Sequence, residues 1–143
     1  MVKDSDTLEV FQQKCKEGKL KLTPQRIAIY QSLLNDKEHP CANTVFQKIR
    51  ERIPNISFDT VNRTLLSFVD LGILKVVEGY GRPKRFDPDT DSHHHFQCLK
   101  CNRITDFYDK TFDAIAVPKD LKSKFMITGK KVVLEGVCQL CRK

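Results

Sequence analysis

The stretch SFDTVNRTLLSFVDLG, residues 57–72, decides the fold. Ser57 suits the position before a helix, because its side-chain oxygen accepts from an otherwise unpartnered N–H of the first turn. Phe58, Val61, Leu65 and Phe68 then recur at helical spacing and are expected to point inward. Gly72 comes just past the last of them, where a left-handed residue ends a helix without steric penalty. Asp59, Thr60, Asn62, Arg63 and Ser67 fall on the outer side. That polar face is either simply solvated or meets a partner.

The sequence on either side chooses between the two. Upstream, Thr23-Pro24 reads as cap and first turn of a helix carrying Ile27, Tyr30 and Leu34. Asn35-Asp36 ends it. His39-Pro40 opens another, with Val45, Phe46, Ile49 and Ile53 as its apolar stripe, and Pro54-Asn55 breaks that one. A weaker pattern (Leu8, Phe11, Cys15) runs through residues 5–17. Downstream, residues 73–78 read as a strand, Gly79-Tyr80-Gly81 as a turn and residues 82–86 as the returning strand. Three helices followed by a hairpin is a winged helix-turn-helix, whose last helix enters the major groove of DNA. Arg63 is then the candidate for a guanine edge, since its fork bonds two acceptors at once. Thr60 and Asn62 lie beside it, and the wing cluster Arg82, Lys84 and Arg85 suits phosphate contact.

The charge agrees with an anionic partner. Through Arg85 the chain has 15 basic against 10 acidic residues, a net +5; the remainder has 10 against 8, a net +2. The basic excess thus sits on the helical part. No run approaches the roughly 18 apolar residues of a membrane span. The start MVKDSDTLEV lacks a basic segment followed by an apolar one, so no secretory signal is expected and the protein is expected in the cytoplasm. At 143 residues there is room for two small domains with thin cores, so a metal or a dimer interface is expected to reinforce them. The fold class is α+β: a winged helix-turn-helix at 1–85, a hinge at 86–92, and a small α/β dimerisation domain at 93–143.

In the second part, residues 96–98 and 104–108 read as short strands, residues near 111–123 as a helix and 126–134 as a last strand. Cys98-x-x-Cys101 and Cys138-x-x-Cys141 stand 36 residues apart. Four thiolates complete a closed tetrahedral zinc shell with no position for a catalytic water; the alternative is two redox dithiols or buried cysteines. His93 and His95 fall on one face of an extended strand, with His94 on the other. Asp87 lies six residues before His93, and Asp106 on a strand able to fold back beside the pair. With His39 these make three imidazoles and two carboxylates, a nitrogen and oxygen set that suits Fe(II), Mn(II) or zinc. Otherwise they are a solvated histidine run, and His39 taken alone reads as a surface histidine. An oxygen-activating or hydrolytic metal enzyme is the competing class for these residues, but no substrate pocket signal accompanies them, and no enzyme is expected.

Thr23-Pro24-Gln25-Arg26, His39-Pro40, Thr60-Val61, Arg85-Phe86-Asp87, His93-x-His95-x-x-Cys98-x-x-Cys101 and Gly136-Val137-Cys138-x-x-Cys141 together resemble the ferric uptake regulator family. The likeness runs from about residue 20 to the C-terminus and is greatest to the peroxide-sensing branch, where Asp rather than Glu stands at the position of Asp106. The resemblance implies a homodimeric repressor on an inverted-repeat DNA operator, with zinc on the four cysteines. It implies regulatory Fe(II) or Mn(II) on His39, Asp87, His93, His95 and Asp106, and peroxide oxidation of His39 or His93. An iron- or zinc-uptake repressor of the same family is the alternative. Two positions depart from the family pattern: Asn62 replaces a usual Tyr in the recognition helix, and Asn102 replaces a common Gly in the cysteine knuckle. Cys15 and Cys41 have no counterpart and read as free thiols.

Overall fold

The computed structural model describes residues 4–34, 36–77 and 83–142. They divide into two units, Met1–Thr90 and Asp91–Lys143. Among the described residues no helix is long and apolar enough to cross a membrane.

The first unit runs α1 (Asp4–Glu17), α2 (Pro24–Leu34), α3 (Ala42–Arg52), α4 (Phe58–Asp70), β1 (Lys75–Val77) and β2 (Arg85–Asp87). Local chemistry explains the helix ends. The Arg26 N–H donates to Thr23 Oγ1 at 3.3 Å, and the Thr60 N–H to Ser57 Oγ at 3.1 Å. Both caps satisfy donors that the first turn leaves open. At the other end of α4, Gly72 takes φ +72, and the Ile73 N–H reaches back to the Phe68 carbonyl at 2.9 Å. That reversal turns Ile73 and Leu74 into the core before β1 begins. β1 and β2 pair antiparallel, with Lys75 opposite Asp87 and Val77 opposite Arg85. The expected wing turn Gly79-Tyr80-Gly81, Arg82 and the helix-ending Asn35 lie outside the described residues.

This is a winged helix-turn-helix with one more helix in front. α1 is integral to the core, because Phe11 stacks on Tyr30 at 4.0 Å and meets Phe68 edge-on at 5.3 Å. Cys15 is fully buried one turn later, and burial pushes its thiol above the ordinary range. Ile29, Leu33, Val45, Ile49, Val61, Leu65 and Phe86 complete the cluster. Phe58 departs from expectation: it is 45% exposed and meets Phe46 edge-on at 5.9 Å. As the first residue of α4 it sits beyond the end of the apolar seam, where its ring reaches α3 but not the core.

The second unit has β3 (His94–Cys98), β4 (Ile104–Phe107), α5 (Lys110–Asp113), α6 (Lys119–Lys124) and β5 (Val133–Gly136). The strand order is β4-β3-β5. β4 is antiparallel to β3 with His95 opposite Asp106; β5 is parallel with Cys98 opposite Gly136. The single helix expected at 111–123 is two short ones. Pro118 disfavours helical backbone at the residue before it, and α6 begins just after it. The last strand begins at Val133, seven residues later than expected, because β3 offers ladder partners only from His95 onward.

Candidate metal centres and nucleic-acid face

The sheet of the second unit assembles the four cysteines. β3 and β5 run in parallel and end together at Cys98 and Gly136. The knuckle Cys98–Cys101 and the tail Cys138–Cys141 therefore leave the sheet side by side. Asn102 turns the knuckle back with φ +61, a left-handed conformation that Asn tolerates. One Sγ from each of Cys98, Cys101, Cys138 and Cys141 lies within 4.8 Å of the others. The Cys101 and Cys138 sulfurs are 3.8 Å apart. A tetrahedron with sulfur about 2.3 Å from its centre has an edge of about 3.8 Å, so this spacing matches a zinc shell. Backbone N–H groups of Cys101 and Cys138 donate to Cys98 Sγ and hold that thiol down at about 6. Cys141, hydrogen-bonded to Cys138 and its neighbours, is pushed up to about 12.

The same unit presents His93, His95 and Asp106. Asp106 Oδ1 lies 3.4 Å from His93 Nε2 and 3.1 Å from His95 Nε2, and the two rings sit 4.7 Å apart. His93 Nδ1 is 2.7 Å from the Asp91 carbonyl, which only accepts, so Nδ1 carries the proton. In the neutral ring Nε2 then offers a lone pair toward a carboxylate. Two acceptors facing one another call for a cation or a proton between them. This fixed tautomer, oriented by a backbone carbonyl, is what a metal-ligating histidine requires. His94 points the other way and is also engaged: Nε2 meets Asp113 Oδ1 at 2.7 Å and Nδ1 accepts from the Val132 N–H at 3.3 Å.

In the first unit, His39 is 2% exposed, which overturns its reading as a surface histidine. Its Nε2 lies 3.3 Å from Asp87 Oδ2, at the end of β2. Asp87 is buried, and its other oxygen accepts from the Asp89 N–H at 2.9 Å. His39 takes φ +54, an uncommon backbone for a residue with a Cβ. Arg85 holds it there: Nε donates to the His39 carbonyl at 2.6 Å and Nη2 to the Glu38 carbonyl. An isolated bridge between Cys41 and Arg85 fixes the same loop to β2. Arg85 was expected in the phosphate-contacting wing; its side chain is instead half-buried against these carbonyls. Nothing in the local sequence marks that role, since Arg85 reaches carbonyls 46 and 47 residues away. Cys41 starts α3 half-buried, its thiol 3.4 Å from the Thr44 hydroxyl. Burial pushes that thiol up, and hydrogen bonds from Thr44 outweigh it and leave it below the ordinary range.

On the outer face of α4, Arg63 is exposed and paired with Asp59 four residues earlier. Asn62 is half-buried. The Thr60 hydroxyl lies 2.8 Å from Ser57 Oγ and so takes part in the cap. Lys84 is exposed beside β2.

A model of the ferric uptake regulator family matches residues 17–134. A peroxide-responsive repressor from Staphylococcus epidermidis is 33% identical over 124 residues, spanning 87% of this chain and 83% of that protein. Among solved structures, the Helicobacter pylori ferric uptake regulator superposes with a TM-score of 0.80 at 21% identity, covering 97% of this chain and 93% of that one. At that identity it speaks for the fold alone. The Campylobacter jejuni peroxide stress regulator superposes with a TM-score of 0.71 at 25% identity, over 91% of this chain and 98% of that one.

Proposed function

The chain belongs to the ferric uptake regulator family, and from that premise we propose that it is a homodimeric repressor which senses peroxide through a divalent ion on His39, Asp87, His93, His95 and Asp106. Its relatives are transcriptional regulators and not enzymes, so the enzymatic reading of these residues falls away. One observation carries the metal: His93, with Nδ1–H tied to the Asp91 carbonyl, aims its Nε2 lone pair toward Asp106, which also faces His95 Nε2. The buried His39–Asp87 pair supplies the same donor chemistry from the first unit. Three neutral imidazoles and two carboxylates carry about two negative charges, which suits a divalent cation, and a set without sulfur suits Fe(II) or Mn(II). The four cysteines would hold a structural zinc with no open coordination position.

A ligand set drawn from both units would give the ion a mechanical role. An ion held by both would fix the angle between them and so the spacing of the two recognition helices in the dimer, which must match two half-sites of an inverted repeat. Metal and operator then favour the same state and bind cooperatively. Thr60, Asn62 and Arg63 on α4, with Arg82 and Lys84 of the wing, would face the duplex. Iron held by these residues would promote cleavage of the peroxide O–O bond, one oxygen leaving as water and the other being added to the imidazole of His39 or His93. The ring thus supplies the two electrons that peroxide takes up, and loss of that ligand would release the operator. Manganese in the same place would give a repressor insensitive to peroxide. Asp at position 106 and the likeness to the staphylococcal repressor support peroxide as the signal.

A gel shift with operator DNA, with and without Mn(II) and with chelator as control, tests the reading. Retardation should require the metal, and the iron-loaded protein should release DNA on peroxide with a mass gain of one oxygen. Equal retardation by protein holding only its cysteine-bound zinc would refute metal control. Metal-dependent binding without the oxygen gain would assign the chain to metal uptake instead.

A further inference from the structure

We propose that Asp59 is a specificity-determining residue, which holds the Arg63 guanidinium for a guanine edge and keeps it off the phosphates; this rests on the DNA-binding reading of α4. Asp59 and Arg63 pair through Oδ2 and Nη2, with side chains 66% and 76% exposed. An ion pair so open to water adds little to helix stability. Asp59 also complements the positive end of α4, but that contribution does not require the pairing with Arg63.

A carboxylate on a face that meets DNA is also unfavourable by itself, because it opposes the phosphate charge that attracts the rest of the unit. Asp59 lies in the first turn of α4, the end that in helix-turn-helix proteins reaches base edges. Pairing with Arg63 resolves the conflict. The carboxylate is neutralised where it would repel, and the guanidinium, which has five N–H donors, keeps enough of them to meet guanine O6 and N7 together. Entry into the groove removes water from the pair, which strengthens the hold of Asp59 on Arg63.

The neighbours reinforce the point. Asn62 is half-buried one residue before Arg63, and the Thr60 hydroxyl is engaged with Ser57 Oγ. Arg63 is thus the long, exposed, charged donor of this turn. An unrestrained arginine there would reach phosphates on any sequence. A restrained one loses its partners when guanine is replaced, and that is discrimination.

The experiment uses the Mn(II)-loaded full chain and a duplex library with a randomised centre. The enriched duplex is then varied one base pair at a time. The wild-type protein should discriminate about tenfold for one G·C pair in each half-site, the scale of one bidentate contact. Asp59→Asn, which keeps the shape and removes the charge, should lose most of that preference while binding unrelated duplex as well or better. In an Arg63→Ala background, Asp59→Asn should have no further effect on the preference, because Asp59 acts through Arg63. Undiminished discrimination by Asp59→Asn overturns the proposal, as does a further loss in the Arg63→Ala background, which would mean Asp59 reads a base itself. Failure of the wild-type chain to enrich any sequence overturns the DNA-binding reading and the proposal with it.

Discussion

Replacing Arg85 by alanine should weaken regulatory metal binding through the backbone of His39. Arg85 donates to the carbonyls of His39 and Glu38, and so holds His39 in its left-handed backbone. A hydrogen bond from a charged donor contributes about 1.5–3 kcal/mol. The side chain is half-buried, which argues for the low end, so losing both should destabilise the first unit by about 3 kcal/mol. The loop would then relax toward ordinary backbone, since the left-handed form costs roughly 1–2 kcal/mol. His39 would leave its position beside Asp87. Loss of a group that orients a ligand lowers metal affinity by about 10–100-fold. Urea unfolding measures the first effect, and titration of the zinc-loaded protein with Mn(II), followed by the signal of free manganese, measures the second. If Mn(II) affinity holds within about twofold while the salt dependence of DNA binding falls by one phosphate contact, Arg85 is a wing residue and the positioning argument fails. Lys84→Ala is the internal control, expected to change only the salt dependence.

Three further outcomes are expected. His93→Ala should abolish Mn(II)-dependent operator binding while zinc content and dimer mass stay unchanged; full repression by this variant would remove the basis for the sensor. Asp106→Glu should reduce histidine oxidation in the iron-loaded protein, read as the fraction gaining one oxygen per peroxide pulse, and an unchanged fraction would show that side-chain length at 106 does not set the chemistry. Phe11→Ala should destabilise the first unit by about 3–5 kcal/mol in urea, the usual loss for a buried aromatic; a loss below about 1 kcal/mol would mean that α1 is dispensable to the core.

How much of this was legible in the sequence depended on whether the cause lay nearby in the chain. The caps at Thr23 and Ser57 and the stop at Gly72 act within one helical turn, so residue type and spacing located the helices. The period of two in a strand likewise separated His93 and His95 from His94, and the C-x-x-C spacing announced the cysteine clamp. Where two distant segments decide, local reading failed. Arg85 looked like one more wing cation, because the carbonyls that hold it belong to a loop before α3. His39 looked exposed because nothing adjacent to it reveals its burial. β5 starts where β3 offers a parallel partner, so its own apolar pattern from residue 126 onward could not set its beginning. Two of these misreadings fall together. Arg85 and His39 both belong to the loop and strand that present the His39–Asp87 pair, a place where charge and backbone conformation depart from local preference. A sequence that satisfies local rules nearly everywhere departs from them most where function imposes a geometry. At His39 the departure is of that kind, since a buried imidazole facing a buried carboxylate on left-handed backbone serves no local preference.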